Sequence, residues 1–185
     1  MQPLLHRIQF DNDETAFKEF YKENVFRLFQ FAFAFARNKE LSEEIVNDVF
    51  LKLWQHRSKL NKIKNIQVYL YVSVKNTAFN YSRKNTGRKN MGIEEISTDH
   101  FYLSPDQEQI LMTDELKKQI EQSINQLPPK CKLVFKMIKE DGLSIAEVAV
   151  ILGISYKTVS TQLSIALKKL ALLLQPSLKE HEIKI

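Results

Sequence analysis

The sequence predicts an all-α protein built as two small helical domains joined by a flexible linker. Three observations carry this prediction. Only 4 glycines and 5 prolines occur in 185 residues, every glycine lies at or beyond Gly87, and no proline falls between Pro3 and Pro105. A β-sandwich or barrel would need turn residues every roughly 8–12 positions. Apolar residues recur at helical three-and-four spacing before and after a polar stretch. That stretch, residues 85–106, collects Asn85, Thr86, Gly87, Asn90, Gly92, Ser97, Thr98, Ser104 and Pro105, and is too long for a tight connection inside one bundle. Hydrophobic residues make up 44% and charged residues 26%, a globular composition rather than a disordered one.

The first helix is expected from about residue 13 to 37, where Phe17, Phe20, Leu28, Ala32 and Phe35 keep helical spacing. Within it, residues 31–36 alternate Phe and Ala with period two, which suits a strand. Alanine and the absence of flanking turn residues favour helix. Ser42 is read as the next N-cap, with Glu43 and Glu44 placed to suit the helix dipole. Ile45, Val46, Val49, Phe50, Leu53 and Trp54 then form one apolar stripe. A short basic loop spans residues 57–64, and Asn65 caps a third helix over residues 66–84.

The second domain opens with a helix from about Pro105 or Thr113 to Asn125. Leu127, Pro128 and Pro129 stop it, and the next helix spans residues 130–139, ending at Asp141 and Gly142. The expected division is 10–85 for the first domain, 86–112 for an acidic linker, 113–175 for the second domain and 176–185 for a frayed tail.

Net charge is +5, unevenly laid down. It runs −3 over residues 1–48, +10 over 49–93, −6 over 94–121 and +4 over 122–185. The basic block holds 10 Lys/Arg and no carboxylate: Lys52, Arg57, Lys59, Lys62, Lys64, Lys75, Arg83, Lys84, Arg88 and Lys89. Trp54, Tyr69, Tyr71, Phe79 and Tyr81 are interleaved. Cations neutralise phosphates and aromatic faces stack on unpaired bases, so the block points to nucleic acid. An anionic membrane surface is the other candidate.

Several classes are excluded. No GxGxxG or GxxxxGK loop can be written with these glycines. The single Cys131 excludes a disulfide framework and a multi-cysteine zinc site, and it is expected to be a half-buried structural thiol. No apolar run approaches the roughly 18–20 residues of a membrane span, and nothing at the start reads as a signal peptide. The expected compartment is the cytoplasm, with no insertion into the membrane. His6, His56, His100 and His181 show no ligand spacing, and no di-iron or Ser/His/Asp signature occurs. No catalytic residue, metal ligand or cofactor is therefore expected, and Glu44 and Asp48 on one helix face read as a docking or solvated surface.

The most informative run is residues 143–159, LSIAEVAVILGISYKTV. Ser144 and Glu147 fit an S-x-x-E capping box. Gly153 falls where a tight interhelix turn needs positive φ, and Ser155 can cap the following helix. Val159, Leu163, Ala166, Leu170 and Leu173 extend a buried stripe, while Lys157, Ser160, Thr161, Ser164 and Lys168 share the other face. Helix, three-residue turn and helix is the helix-turn-helix pattern, whose second helix enters the major groove.

At these residues the chain resembles a known family. Residues 124–135, INQLPPKCKLVF, with the helix-turn-helix and residues 166–170, ALKKL, are similar to region 4 of bacterial sigma factors. Residues 42–54, SEEIVNDVFLKLW, resemble the region 2 helix that docks on RNA polymerase, and residues 69–84 the adjoining promoter-melting segment. Regions 2 and 4 with no domain between them are the layout of the extracytoplasmic-function group.

The resemblance implies an alternative sigma factor that binds core RNA polymerase and promoter DNA and answers to an anti-sigma factor. It implies core docking through Glu44, Asn47, Asp48, Lys52 and Gln55. It implies single-stranded minus-ten binding through Lys59, Asn61, Lys62, Lys75, Asn76, Asn80, Arg83 and Lys84. It implies minus-thirty-five binding through Ser155, Tyr156, Lys157, Thr158, Ser160, Thr161, Gln162, Ser164 and Lys168. Many relatives carry Asp where this chain has Asn80, and Arg or Glu where it has Ser160, Thr161 and Gln162. Ser and Thr read bases weakly and Gln can pair bidentately with adenine, so the promoter sequence does not transfer from relatives. The rival reading is a helix-turn-helix repressor or activator with a helical effector domain, which would need a ligand pocket or dimer face in place of the basic single-strand surface.

Overall fold

The computed structural model describes residues 2–86 and 114–182, with side chains over 3–83 and 118–174. The chain divides into two compact units, Met1–Ser97 and Thr98–Ile185. Among the described residues all regular structure is helical.

The first unit holds α1 (Gln2–Phe10), α2 (Glu14–Ala36), α3 (Lys39–Gln55), a 3-10 helix (Arg57–Lys62) and α4 (Ile66–Thr86). The helix α2 is the hub, with α1, α3 and α4 packed on it. Its Phe-Ala run is helical, as expected over the strand reading. Phe31, Ala32, Ala34 and Phe35 are all buried. A helix enclosed on most sides is apolar all round, and its pattern then loses the one-sided stripe. Phe31 meets Tyr71 of α4 edge-on at 4.8 Å, and Phe35 meets Phe79 at 5.5 Å.

Asp13 starts α2. Its side chain accepts from the Ala16 N–H at 3.0 Å and from Arg7 of α1 at 2.6 and 2.9 Å. These bonds, first that from Ala16 and then that from Arg7, hold the carboxyl below its ordinary value. Arg37 ends the helix in the left-handed conformation, φ 52°.

Three expectations change here. The helix α1 is not predicted by the sequence; it is 9 residues long and stands by burying Ile8, after which Asn12 turns the chain at φ 52°. Ser42 is not the N-cap of α3. Asn38 is, its side chain accepting from the Leu41 N–H at 2.7 Å. Ser42 lies fully buried in the next turn and donates to the Asn38 carbonyl at 2.6 Å. The expected loop after α3 is a 3-10 helix, pinned by buried Leu60. Asn65 does start α4, accepting from the Val68 N–H at 3.1 Å.

The second unit holds α5 (Asp114–Asn125), α6 (Pro129–Lys139), α7 (Ile145–Leu152) and α8 (Tyr156–Glu182). Proline at the first position of α6 costs nothing, since that N–H would have no helical partner. Ile124, Leu127, Cys131, Ala166 and Leu170 form a core with Ile120 and Phe135 against it. Cys131 is buried rather than half-buried, and burial pushes its thiol up. The helix α8 continues past Pro176 to Glu182, where a frayed tail was expected. A proline removes one backbone donor but keeps a helical φ, and Leu178, Lys179 and Glu180 beyond it are good helix formers. The linker expected over 86–112 lies outside the described residues, apart from Thr86, which closes α4.

Candidate nucleic-acid interface

The helix α3 buries Ile45, Val46, Val49, Phe50 and Leu53 against its neighbours. That orientation leaves Glu44, Asn47, Lys52 and Gln55 exposed and Asp48 half-buried. Three of these polar groups are held from other helices. Tyr21 of α2 donates to Asn47 Oδ1 at 3.0 Å. Tyr81 of α4 donates to Glu44 Oε1 at 2.8 Å and to Asp48 Oδ2 at 3.0 Å. Those bonds, chiefly the one to Glu44, push the phenol far up.

The sequence reading missed Leu51. It is 54% exposed and stands four residues from both Asn47 and Gln55, at the centre of the polar face. The signal was available: Leu51 falls off the Ile45–Val49–Leu53 stripe.

The 3-10 helix presents Lys59, Asn61 and Lys62 to solvent, while Leu60 turns inward. Arg57 belongs to the fold. Its guanidinium lies 4.3 Å from the Trp54 ring centroid and donates to Asn12 Oδ1 at 2.6 Å and to the Trp54 carbonyl at 2.9 Å.

On α4, Asn76, Asn80 and Arg83 are exposed. Their spacing of four and three puts them on one line, and Arg83 donates to Asn80 Oδ1 at 3.4 Å. Tyr69 is 37% exposed and lies on the same line. Lys75 is half-buried beside it, and loss of water lowers its ammonium pKa. The side chain of Lys84 lies outside the described residues.

The aromatic part of the sequence reading is corrected. Tyr71 is buried, Phe79 packs on Phe35, Trp54 packs on Phe17 at 4.9 Å and Tyr81 is bonded to α3. Of the five interleaved aromatics, Tyr69 is the one with an exposed face for a base.

In the second unit the capping box is complete. Ser144 Oγ accepts from the Glu147 N–H at 3.3 Å, and Glu147 Oε2 accepts from the Ser144 N–H at 2.8 Å. Gly153 closes α7 at φ 72°, and the chain turns by 113° between α7 and α8, within the range of helix-turn-helix crossings. Ser155 caps α8, accepting from the Thr158 N–H at 3.0 Å, and its hydroxyl pairs with Thr158 Oγ1 at 2.8 Å.

Val159, Ala166 and Leu170 are buried, with Leu163 and Leu173 half-buried. The opposite face exposes Tyr156, Lys157, Thr161, Ser164 and Lys168, and Ser160 is half-buried at its edge. Thr161 donates to the Lys157 carbonyl at 2.9 Å. Gln162 stands between Val159 and Ala166, toward the inner face. Its Oε1 accepts from Cys131 Sγ at 3.0 Å, and the side chain is half-buried.

Comparisons with known proteins agree with this geometry. Residues 20–88 match the family described as Sigma-70 region 2, and residues 117–170 match Sigma-70, region 4. No curated protein sequence matches the chain. The solved structure of CnrH in complex with the cytosolic domain of CnrY aligns over 94% of this chain and 96% of its own, with TM-score 0.52 and 18% identity. The sigma factor RpoE of Bartonella quintana, solved with the anti-sigma factor NepR, aligns over 85% of this chain and 98% of its own, with TM-score 0.49 and 20% identity. The chain belongs to the sigma-70 family of RNA polymerase sigma factors, with region 2 and region 4 matched in that order along it.

Proposed function

We propose that this alternative sigma factor divides promoter-specific initiation among three exposed faces. The face of α3 with Glu44, Asn47, Asp48, Lys52 and Gln55 docks on core RNA polymerase, with Leu51 as its apolar centre. Lys59, Asn61 and Lys62, with Lys75, Asn76, Asn80, Arg83 and Lys84 of α4, hold the unpaired minus-ten strand. Tyr156, Lys157, Thr161, Ser164 and Lys168 meet the minus-thirty-five duplex, and Ser155, Thr158 and Ser160 shape the start of that helix. Residues 10–85 and 113–175 are the working domains of this reading, and 86–112 is the acidic linker between them.

One observation carries the reading. Asn76, Asn80 and Arg83 lie exposed in a line with Tyr69, inside a block of sequence with no carboxylate. Cations hold the backbone of an unpaired strand, an aromatic face stacks on a base, and amides pair with base edges. A ligand-binding effector domain has no use for that combination.

An anti-sigma factor that masks these faces completes the proposal. Tyr156, Ile165 and Leu172 of α8 are large apolar residues left 59%, 43% and 68% exposed, which suits a covering partner. The proposed compartment is the cytoplasm, and no catalytic role is assigned. Among the described residues no single helix is long and apolar enough to cross a membrane.

The test is run-off transcription with purified core polymerase and a library of promoter fragments. The expected result is core binding together with start sites that depend on the added chain. Failure to bind core, with no new start sites, would refute the reading.

A further inference from the structure

The bond between α4 and α3 has a consequence for docking. Glu44 and Asp48 stand four residues apart on α3, where like charges repel. Among the described residues neither carboxylate pairs with a cation. Among the described residues the one side-chain donor that reaches them is the Tyr81 hydroxyl, 2.8 Å from Glu44 and 3.0 Å from Asp48. We infer that Tyr81 is a positioning residue for polymerase docking: its hydroxyl holds both carboxylates of α3 where a basic partner surface meets them. The inference rests on the docking role proposed above for α3.

Three features support it. A phenol has one proton, so the two carboxylates share it and are drawn to a common point. The hydroxyl stays a donor, because the same bonds oppose its ionisation. Tyr81 also comes from the helix that exposes Asn80 and Arg83. The hydroxyl thereby links the docking face of α3 to the helix that carries the single-strand face. Without the hydroxyl the two carboxylates regain rotamer freedom, which docking must then remove.

The test is a double-mutant cycle on affinity for purified core polymerase, using the full chain. Tyr81→Phe removes the oxygen and keeps the ring. It should weaken core binding by about two- to fivefold, the scale of one exposed hydrogen bond to a charged group. In the Glu44→Ala/Asp48→Ala background the same change should do nothing further. Minus-thirty-five duplex binding by the same variant should match wild type. A purely structural tyrosine would leave the affinity of the folded chain unmoved. Wild-type affinity for Tyr81→Phe, or an equal loss in both backgrounds, would overturn the inference and leave the docking role standing. Failure of the wild-type chain itself to bind core would overturn both.

Discussion

Lys157 and Lys168 offer the sharpest test of how α8 meets DNA. Both are exposed and stand eleven residues apart. At about 1.5 Å and 100° per residue, that places them about 16 Å apart along the axis and on one face. The major groove is roughly 12 Å wide, so a helix entering it at an angle can carry ammonium groups about 16 Å apart along its axis to two backbone phosphates. Each phosphate neutralised adds about 0.9 to the log–log salt slope of binding. Lys157→Ala/Lys168→Ala should therefore flatten that slope by about 1.8. Between about 50 and 200 mM salt, the variant's deficit against wild type should shrink about twelvefold. The assay is a salt titration of holoenzyme on a labelled promoter fragment, wild type beside variant. Neither lysine is part of the proposed docking face, so holoenzyme assembly serves as the internal control. Parallel slopes would refute the placement of α8 in the groove, whatever the loss at one salt concentration.

Three further outcomes follow from the geometry. Leu51→Ala should leave the thermal midpoint nearly unchanged, because the residue is 54% exposed, and should weaken core binding by about tenfold, the scale of one buried leucine side chain. The Asp13 carboxyl is held below its ordinary value in the fold. Its contribution is complete above the unfolded value of about 4 and is lost as pH falls through the lowered one; Asp13→Asn, which can still cap α2, should show a flatter acid limb in midpoint against pH. Gly153→Ala places a Cβ on a residue at φ 72° and should cost about 1 kcal/mol, read as a lower denaturation midpoint with the promoter preference of the folded fraction unchanged.

The helices were legible where their signals are local. Asp13, Asn65, Ser144 and Ser155 each cap from their own side chain, and Gly153 marks its turn because few other residues tolerate it. The misreadings have one cause in common. Asn38 and Ser42 are both good caps four residues apart, and the choice falls to Asn38 because Ser42 is drawn into the interior. The helix α1 is too short to stand alone and depends on Arg7 reaching Asp13 and on buried Ile8. Tyr71 and Tyr81 have the right chemistry for DNA, but partners distant in sequence claim them. Residue type is written locally, whereas the partner that takes a polar group is decided by packing.

The same distinction governs how much of the basic block can act on DNA. A cation already bonded within the fold cannot neutralise a phosphate without giving something up. Arg57 would have to leave Trp54 and Asn12, so it counts toward the stability of the 3-10 helix. Lys59 and Lys62 are exposed on that helix, and Leu60 between them fixes which way they point. Lys75 stands between these cases: burial has removed part of its water, so a phosphate there would replace little hydration. On the proposed reading, the formal +10 therefore overstates the electrostatic grip on a DNA strand. Arg57 and Leu60 are engaged within the fold while Lys59 and Lys62 are exposed, and among the described residues neither lysine forms an ion pair.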